Sequence, residues 1–189
     1  ESGAVWLDPA RTSPYRFFQF WLNTDERDVV KYLKYFTFFD QQRVAELEAS
    51  LAEHPEQHEA HRALAKEMTA MIHGETALAR AEQASQALFG GEFSGLTAAE
   101  IADIFADVPS WEQPKALLEG QGMPLVDLLT AANVAKSKGE ARRSLSEGGI
   151  YLNNQRAAES RLVTAADALE GKFIVLRKGK RSYTLVKLV

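Results

Sequence analysis

The sequence predicts a mostly α-helical protein that ends in a small α+β module. Capping residues and apolar residues at helical spacing fill residues 13–106, whereas residues 150–188 contain short alternating segments rich in β-branched and aromatic residues. Charge divides the chain in a similar way. Residues 1–124 hold 10 Lys+Arg and 20 Asp+Glu, a net charge of −10, and residues 125–189 hold 12 and 6, a net charge of +6. The total of −4 therefore describes an acidic helical body with a basic tail.

Composition excludes several classes of protein. With 189 residues, 46% hydrophobic and 25% charged, the chain is typical of a soluble protein with one domain or two small ones. It has no Cys, which excludes disulfides and thiolate metal sites and fits a reducing compartment such as the cytoplasm. No apolar run approaches the roughly 20 residues that cross a bilayer, so we expect no membrane partner.

Local signals predict six helices in the body. They begin at or just after Ser13, Thr24, Asp40, Pro55, Glu75 and Thr97. Ten aromatic residues between Tyr15 and Phe39 predict a dense hydrophobic junction. The inner face of the long fourth helix is predicted to consist of Leu64, Met68, Met71 and Ile72.

Proline and glycine residues predict a linker over 109–123. After it, we expect a short helix over 124–132 with Asn133 at positive φ, and a helix that opens with a Ser137/Glu140 capping box and ends at Gly148-Gly149. The remaining residues predict a strand over 150–152, an Asn153-Asn154 turn, and a hairpin of strands around Gly179.

Motifs for metal binding and catalysis are weak. The four His residues lack the spacing of a zinc-binding helix, and a solvated His-rich face explains them better. The paired glycines end helices instead of cradling phosphate after a strand, and no Ser/His/Asp arrangement stands out. We therefore predict no metal site and no catalytic residue in this sequence.

The basic residues of the tail carry the strongest chemical signal. Four surround one helix and four lie within five residues at a hairpin turn: Lys136, Lys138, Arg142, Arg143, Arg177, Lys178, Lys180 and Arg181. One such cluster could simply be a charged edge that deters strand pairing. Two clusters in one module favour RNA, since convergent cations displace the counterions of a phosphate backbone.

Several stretches resemble one known family. The first forty residues contain Gly3-Ala4-Val5-Trp6-Leu7-Asp8-Pro9, Thr12-Ser13-Pro14-Tyr15-Arg16-Phe17-Phe18-Gln19-Phe20-Trp21-Leu22-Asn23-Thr24 and Tyr32-Leu33-Lys34-Tyr35-Phe36-Thr37-Phe38. The tail contains Ser137-Lys138-Gly139-Glu140-Ala141-Arg142-Arg143, Gly148-Gly149-Ile150-Tyr151-Leu152-Asn153-Asn154 and Leu176-Arg177-Lys178-Gly179-Lys180-Arg181. The first set strongly resembles bacterial-type tyrosyl-tRNA synthetase, and the tail resembles the S-four RNA-binding domain at that enzyme's C-terminus.

The resemblance implies an organisation and an activity. Residues 1–39 would follow the catalytic Rossmann domain, 40–108 would be the helical anticodon-binding domain, 109–123 a linker, and 124–189 the S-four-type RNA-binding domain. The family activates tyrosine with ATP and attaches it to its tRNA. Neither its His-Ile-Gly-His-like nor its Lys-Met-Ser-Lys-Ser-like motif occurs here. We therefore expect a chain that lacks its natural beginning and is inactive alone, with ATP and Mg²⁺ bound by a missing N-terminal catalytic portion.

The family interpretation gives partners and contact residues. The partners would be the tRNA for tyrosine, the catalytic portion, and a second subunit, since the family is homodimeric. The eight cations of the tail would contact phosphates, and Asn153, Asn154 and Arg156 would approach sugar or base edges. The alternative is a non-catalytic RNA-binding or splicing factor derived from a synthetase. A plain helical interaction module with a charged tail is a third interpretation, which predicts no tRNA binding by residues 124–189.

Overall fold

The computed structural model describes residues 5–189, which form eight α-helices and seven β-strands. The helices are α1 Pro14–Leu22, α2 Glu26–Phe36, α3 Gln41–Glu53, α4 Glu59–His73, α5 Glu75–Ala87, α6 Ala98–Ile104, α7 Leu125–Ala131 and α8 Lys138–Ser146. The strands are β1 Ser110–Gln113, β2 Met123–Pro124, β3 Ile150–Leu152, β4 Gln155–Arg156, β5 Leu162–Val163, β6 Phe173–Lys178 and β7 Ser182–Leu188. None of the helices in this described range has the length and apolar run that a bilayer crossing requires. The predicted class, helices followed by a small α+β module, is confirmed.

The chain divides into two compact units, with the boundary between Ser85 and Gln86. In the first unit, side-chain caps start α1, α2 and α3, because the first backbone N–H groups of a helix lack partners within it. Ser13 accepts from the Arg16 N–H of α1, and Asp40 accepts from the Arg43 N–H of α3 at 2.7 Å. Thr24 was predicted to cap the second helix, but Asp25 caps it instead.

Helix α4 packs against α1, α2 and α3 and supplies much of the core of the first unit. Leu64 is fully buried and Met68 is nearly so, as predicted. Met71 and Ile72 were also expected inside, but they are 42% and 36% exposed. The buried positions of α4 end at Thr69, so its last turn lies at the edge of the core. The helix also starts later than predicted, after a short 3-10 turn at Pro55–Gln57.

The aromatic residues of α1 and α2 form the predicted junction. The Trp21 ring makes edge or tilted contacts with the rings of Phe17, Tyr32 and Phe36, with centroids 5.6–6.1 Å apart. Such arrangements place ring edges against ring faces and add to the stabilisation from buried area. Other aromatic side chains of this region, among them Phe20 and Phe38, stay exposed.

One histidine of the first unit is buried. His61 is 2% exposed, and its Nε2 lies 3.0 Å from the Thr24 carbonyl oxygen, which requires Nε2 to carry the proton. Its Nδ1 is buried without a hydrogen-bond partner in the described structure. The prediction of a solvated His-rich face is therefore wrong for this residue. Among residues 5–189, no group of three or more His, Cys, Asp or Glu could hold a metal ion.

The second unit is built on a five-stranded sheet with the order β1-β7-β6-β3-β4. Strands β6 and β7 form the predicted antiparallel hairpin around Gly179, and β3 pairs antiparallel with β6. Strand β1 pairs parallel with β7, and Ser110 lies opposite Leu185. A separate antiparallel pair joins β2 and β5.

Residues 109–123, predicted to form a linker, contain regular structure instead. They include β1, a 3-10 helix at Lys115–Leu118, and the start of β2, and the Leu118 side chain is buried in the core of the second unit. The sequence pattern missed this because β1 is held by a strand that lies far along the chain. The compact unit that contains the tail module therefore begins well before residue 124, at Gln86.

The core of the second unit lies between α7, α8 and one face of the sheet. Leu125, Leu129 and Leu145 pack there with Ile150 and Ile174. Asn133, which follows α7, has φ 54 as predicted. The predicted Thr97/Glu100 capping box is present at α6, so local signals located this helix correctly.

Candidate nucleic-acid interface

Helix α8 presents the first basic cluster. The Ser137 hydroxyl caps the helix by accepting from the Glu140 N–H at 3.2 Å, and Ala141 and Leu145 face the core. Because these two positions point inward, Arg142 and Arg143 on the opposite side are exposed. The predicted capping box is incomplete, since the Glu140 carboxylate accepts from the Lys136 N–H and not from the N–H of Ser137.

The β6–β7 hairpin presents the second basic cluster. Its turn contains Gly179 at φ 67, a conformation that glycine adopts without steric cost. The Gly179 N–H donates to the Gly149 carbonyl at 2.8 Å, which ties the turn to the end of the α8 segment. Lys180 and Arg181 are exposed beside this glycine, and no ion pair of either is found in the described part of the chain.

An ion pair joins the two clusters. Lys178 Nζ lies 2.7 Å from the Glu140 Oε1 atom and 3.4 Å from the Val134 carbonyl oxygen. The hydrogen bond from Lys178 lowers the pKa of Glu140, so this carboxylate stays ionised. The sequence separates the clusters widely, but the fold brings them together at one surface of the second unit.

Three other cations of this surface have acidic neighbours. Lys138 lies 2.7 Å from Asp127, Arg142 lies 3.5 Å from Glu159, and Arg143 lies 2.9 Å from Glu147. All three basic side chains are more than half exposed. Exposed pairs of this kind contribute about 0–1 kcal/mol, so a phosphate could replace the carboxylate at small cost.

The two asparagines of the β3–β4 turn are engaged within the fold. Both have positive φ, 48° and 63°, which asparagine tolerates, and they form the predicted turn. The Asn153 side chain donates to the Asp167 carbonyl at 2.7 Å and accepts from the Val175 N–H at 2.9 Å. Asn154 donates to the carbonyl oxygens of Ala87 and Gly91, both at 2.8 Å. Their assignment to sugar or base edges stays a prediction, and it competes with these bonds.

Arg156 borders an open groove of about 1200 Å³. Its Nη2 donates to the Glu147 carbonyl at 3.4 Å, and its guanidinium lies against Gly148, where a Cβ atom would collide with it. Arg161 lines the same groove and pairs with Asp167. The groove therefore has one cation paired with an acid and one held by a backbone carbonyl.

Two family models match the chain. The model described as "tRNA synthetases class I (W and Y)" matches residues 1–90, and "Tyrosine--tRNA ligase SYY-like C-terminal domain" matches residues 100–186. The tyrosine--tRNA ligase of Roseiflexus castenholzii is 55% identical over 190 residues, which cover 100% of this chain and 45% of that protein. The tyrosine--tRNA ligase of Bacillus caldotenax is 48% identical, covering 99% of this chain and 44% of that protein. The chain belongs to the tyrosyl-tRNA synthetase family.

The chain spans a little under half the length of the tyrosyl-tRNA synthetases it matches. The C-terminal domain model runs through α6 and the predicted linker to β7, so it agrees with a compact unit that includes these segments. Among solved structures, a C-terminally truncated mitochondrial tyrosyl-tRNA synthetase from Aspergillus nidulans matches 46% of this chain and 25% of its own, with 31% identity. The TM-score of this match is 0.44.

Two tyrosines next to the basic residues were not predicted from the sequence. Tyr151 lies beneath the guanidinium of Arg177, and Tyr183 donates through its hydroxyl to the Leu88 carbonyl at 3.0 Å. Burial raises the pKa of the Tyr183 hydroxyl, which keeps it protonated and able to donate. Strand alternation could have placed both tyrosines in the sheet, but their partners come from distant segments.

Proposed function

We propose that this chain is the tRNA-recognising portion of a tyrosyl-tRNA synthetase. The observation that carries the proposal is the convergence of the α8 and hairpin cations on one surface, joined by the Lys178–Glu140 pair. A phosphate backbone binds to such a surface because each contact releases condensed counterions. The S-four-type module would hold the anticodon stem and long variable arm, and the helical residues 40–108 would hold anticodon bases.

The whole enzyme would activate tyrosine with ATP and transfer it to the tRNA. Within these 189 residues neither catalytic motif is present, so ATP and Mg²⁺ would be bound by the catalytic domain. The proposed partners are that catalytic portion, a second subunit of a homodimer, and the tRNA for tyrosine, in the cytoplasm. The chain studied alone would bind tRNA without charging it.

Salt dependence tests the proposal. With about five phosphate contacts, the logarithm of the affinity for tyrosine tRNA should fall against the logarithm of salt concentration with a slope of roughly −3.5 to −4.5. Lys180→Gln should reduce the magnitude of this slope by roughly 0.7–0.9, because it removes one contact. Lys34→Gln is the matched control, since Lys34 is an exposed lysine paired with Glu48 and lies outside both proposed RNA-binding regions. An affinity that does not depend on salt would overturn the proposal.

The names of the relatives favour the ligase over a splicing factor. All the curated relatives compared above are named tyrosine--tRNA ligase, and the identity extends along the whole chain. Charging of tyrosine tRNA by the protein joined to its catalytic portion would support the ligase. Intron-RNA binding without any charging would support the splicing factor instead.

A further inference from the structure

The four cations of the hairpin fall into two kinds. Lys180 and Arg181 are exposed, and no ion pair is found for them in the range 5–189. Arg177 and Lys178 are half-buried and have partners inside the second unit. All four carry one positive charge, but only Lys180 and Arg181 can bind a phosphate without breaking an existing contact.

The Arg177 guanidinium makes contacts through its flat face and through its N–H groups. Its Cζ lies 3.6 Å from the Tyr151 ring centroid, a stacked cation–π contact. Its Nε donates to Asn154 Oδ1 at 3.2 Å, and its Nη1 donates to the Gly179 carbonyl at 2.9 Å. The last bond holds the turn that carries Lys180 and Arg181.

Asn154 in turn holds Arg177. The Asn154 side-chain oxygen accepts from Arg177 Nε, and it lies 3.3 Å from the Tyr183 hydroxyl, whose single proton is donated to the Leu88 carbonyl. Its amide nitrogen is fixed by two carbonyl oxygens of the segment after α5, those of Ala87 and Gly91. Every polar atom of this amide therefore has a partner, and the Asn154 side chain has one defined orientation.

We infer that Arg177 is a positioning residue, held by Asn154 and Tyr151, that fixes the Gly179 turn so that Lys180 and Arg181 meet the RNA. The inference rests on the proposed tRNA-binding function and deepens it. It changes the roles of two residues, because the sequence pattern assigns both Asn154 and Arg177 to RNA contact. A lysine cannot replace this arginine, since it lacks the planar fork that stacks and donates in two directions.

Conservative substitution separates the two roles. Arg177→Lys keeps the charge, and we expect it to weaken tyrosine-tRNA binding about tenfold. Arg27→Lys is the matched control and should change the affinity less than twofold, because Arg27 is an exposed arginine of the first unit that lies outside residues 40–108 and 124–189. Equal, near-wild-type affinity of the two lysine variants would overturn the inference.

Two variants that remove no charge make the test independent of Arg177 itself. Tyr151→Leu removes the stacking surface, and Asn154→Gly removes the side chain while tolerating the positive φ. Each should weaken tRNA binding severalfold and should add little to Arg177→Lys in the double variant. Direct phosphate binding by Arg177 predicts affinities within twofold of wild type, which would contradict the inference. Circular dichroism selects temperatures at which each variant is folded.

A measurement without RNA separates this inference from the proposed function. The Gly179 amide bonded to Gly149 should exchange its hydrogen faster in Asn154→Gly and Arg177→Lys than in the wild type, and unchanged in Arg181→Lys. Unchanged exchange in all three variants would overturn the positioning role. Faster exchange in the first two, with no salt-dependent tRNA binding by the wild type, would overturn the tRNA-binding proposal alone.

Discussion

Asn133 shows how one residue directs the chain between two helices. It follows α7 at φ 54, in the left-handed region where a Cβ atom normally crowds the backbone. Asparagine tolerates this region better than most residues and glycine tolerates it best. The residue therefore lets the chain turn from α7 toward α8 at little cost.

Substitution at this position should follow backbone preference. Asn133→Ala should lower the free energy of unfolding by about 1 kcal/mol, because alanine is strained at positive φ. Asn133→Gly should change the free energy of unfolding by less than about 0.5 kcal/mol. Glycine fits the positive φ better than asparagine, but it loses more conformational freedom on folding, and the two effects nearly offset each other. Urea denaturation measures both, and an alanine variant as stable as the wild type would contradict the explanation.

His61 links the stability of the first unit to pH. Burial lowers its pKa, and the neighbouring His58 adds to that effect, while the Thr24 carbonyl and Glu26 oppose it. The folded state therefore binds fewer protons than the unfolded state when the pH falls below the usual histidine value of 6.5. Stability is complete above this value and is lost as the pH falls through it toward the lower pKa of the folded state.

Replacing His61 should flatten this pH dependence. The wild type should lose stability as the pH falls below the usual histidine value of 6.5, and His61→Gln should lose less, because glutamine can donate to the Thr24 carbonyl without titrating. His54→Gln is the control, since His54 is exposed. Thermal melting at a series of pH values measures the effect. A steeper loss in His61→Gln than in the wild type would reverse the expected sign.

At the scale of single elements, α6 is a short helix that depends on its N-terminal capping box. The Thr97 hydroxyl accepts from the Glu100 N–H, and the Glu100 carboxylate accepts from the Thr97 N–H at 2.8 Å. The helix has 7 residues, so these bonds satisfy a large share of its backbone groups. Ile101 and Ile104 on its inner face are buried.

Loss of this cap should be measurable. Thr97→Ala should lower the free energy of unfolding by about 1 kcal/mol. Thr76→Ala, an exposed change in the first turn of α5 that removes no observed cap, should be close to neutral. Chemical denaturation of both variants compares them, and equal effects would argue that the cap contributes nothing.

The elements that could be predicted from the sequence are those fixed by neighbouring residues. The Thr97/Glu100 box, the Asn153-Asn154 turn and the hairpin around Gly179 all depend on short stretches of chain. Strand β1 could not be predicted, because its four residues have no distinctive alternation and gain their structure from β7. Ile72 has helical periodicity but lies in the last turn of α4, where periodicity gives no information on where the core ends.

The candidate site shows the same limit at the scale of the whole molecule. The charge difference between the two parts of the chain predicted a basic surface near α8 and the hairpin, and both clusters lie there together. The sequence could not distinguish the hairpin cations that are bonded within the fold, Arg177 and Lys178, from the exposed ones. That difference depends on Glu140, Asn154 and Tyr151, which lie far from the hairpin in sequence and next to it in the fold.

The extent of the second unit leads to a prediction about fragments. Residues 86–189 should be more stable in urea than residues 124–189. The shorter fragment lacks β1 and Leu118, and it loses the Leu88 carbonyl that accepts from Tyr183 and the Phe105 ring 5.5 Å from the Tyr183 ring. Loss of an edge strand and one buried leucine should cost about 2–5 kcal/mol. Equal urea midpoints for the two fragments would place the boundary at the linker after all.

The position of β7 in the sheet also affects how the second unit folds during synthesis. β7 is the last of these strands to leave the ribosome, yet it lies between β6 and β1. Strand β1 is therefore synthesised long before its partner β7, and its residue Trp111 stays in an unpaired segment until β7 has been made. Pairings between residues so distant in sequence slow folding, because a long loop must close first. The surface formed by α8 and the β6–β7 hairpin should consequently be among the last parts of residues 5–189 to form.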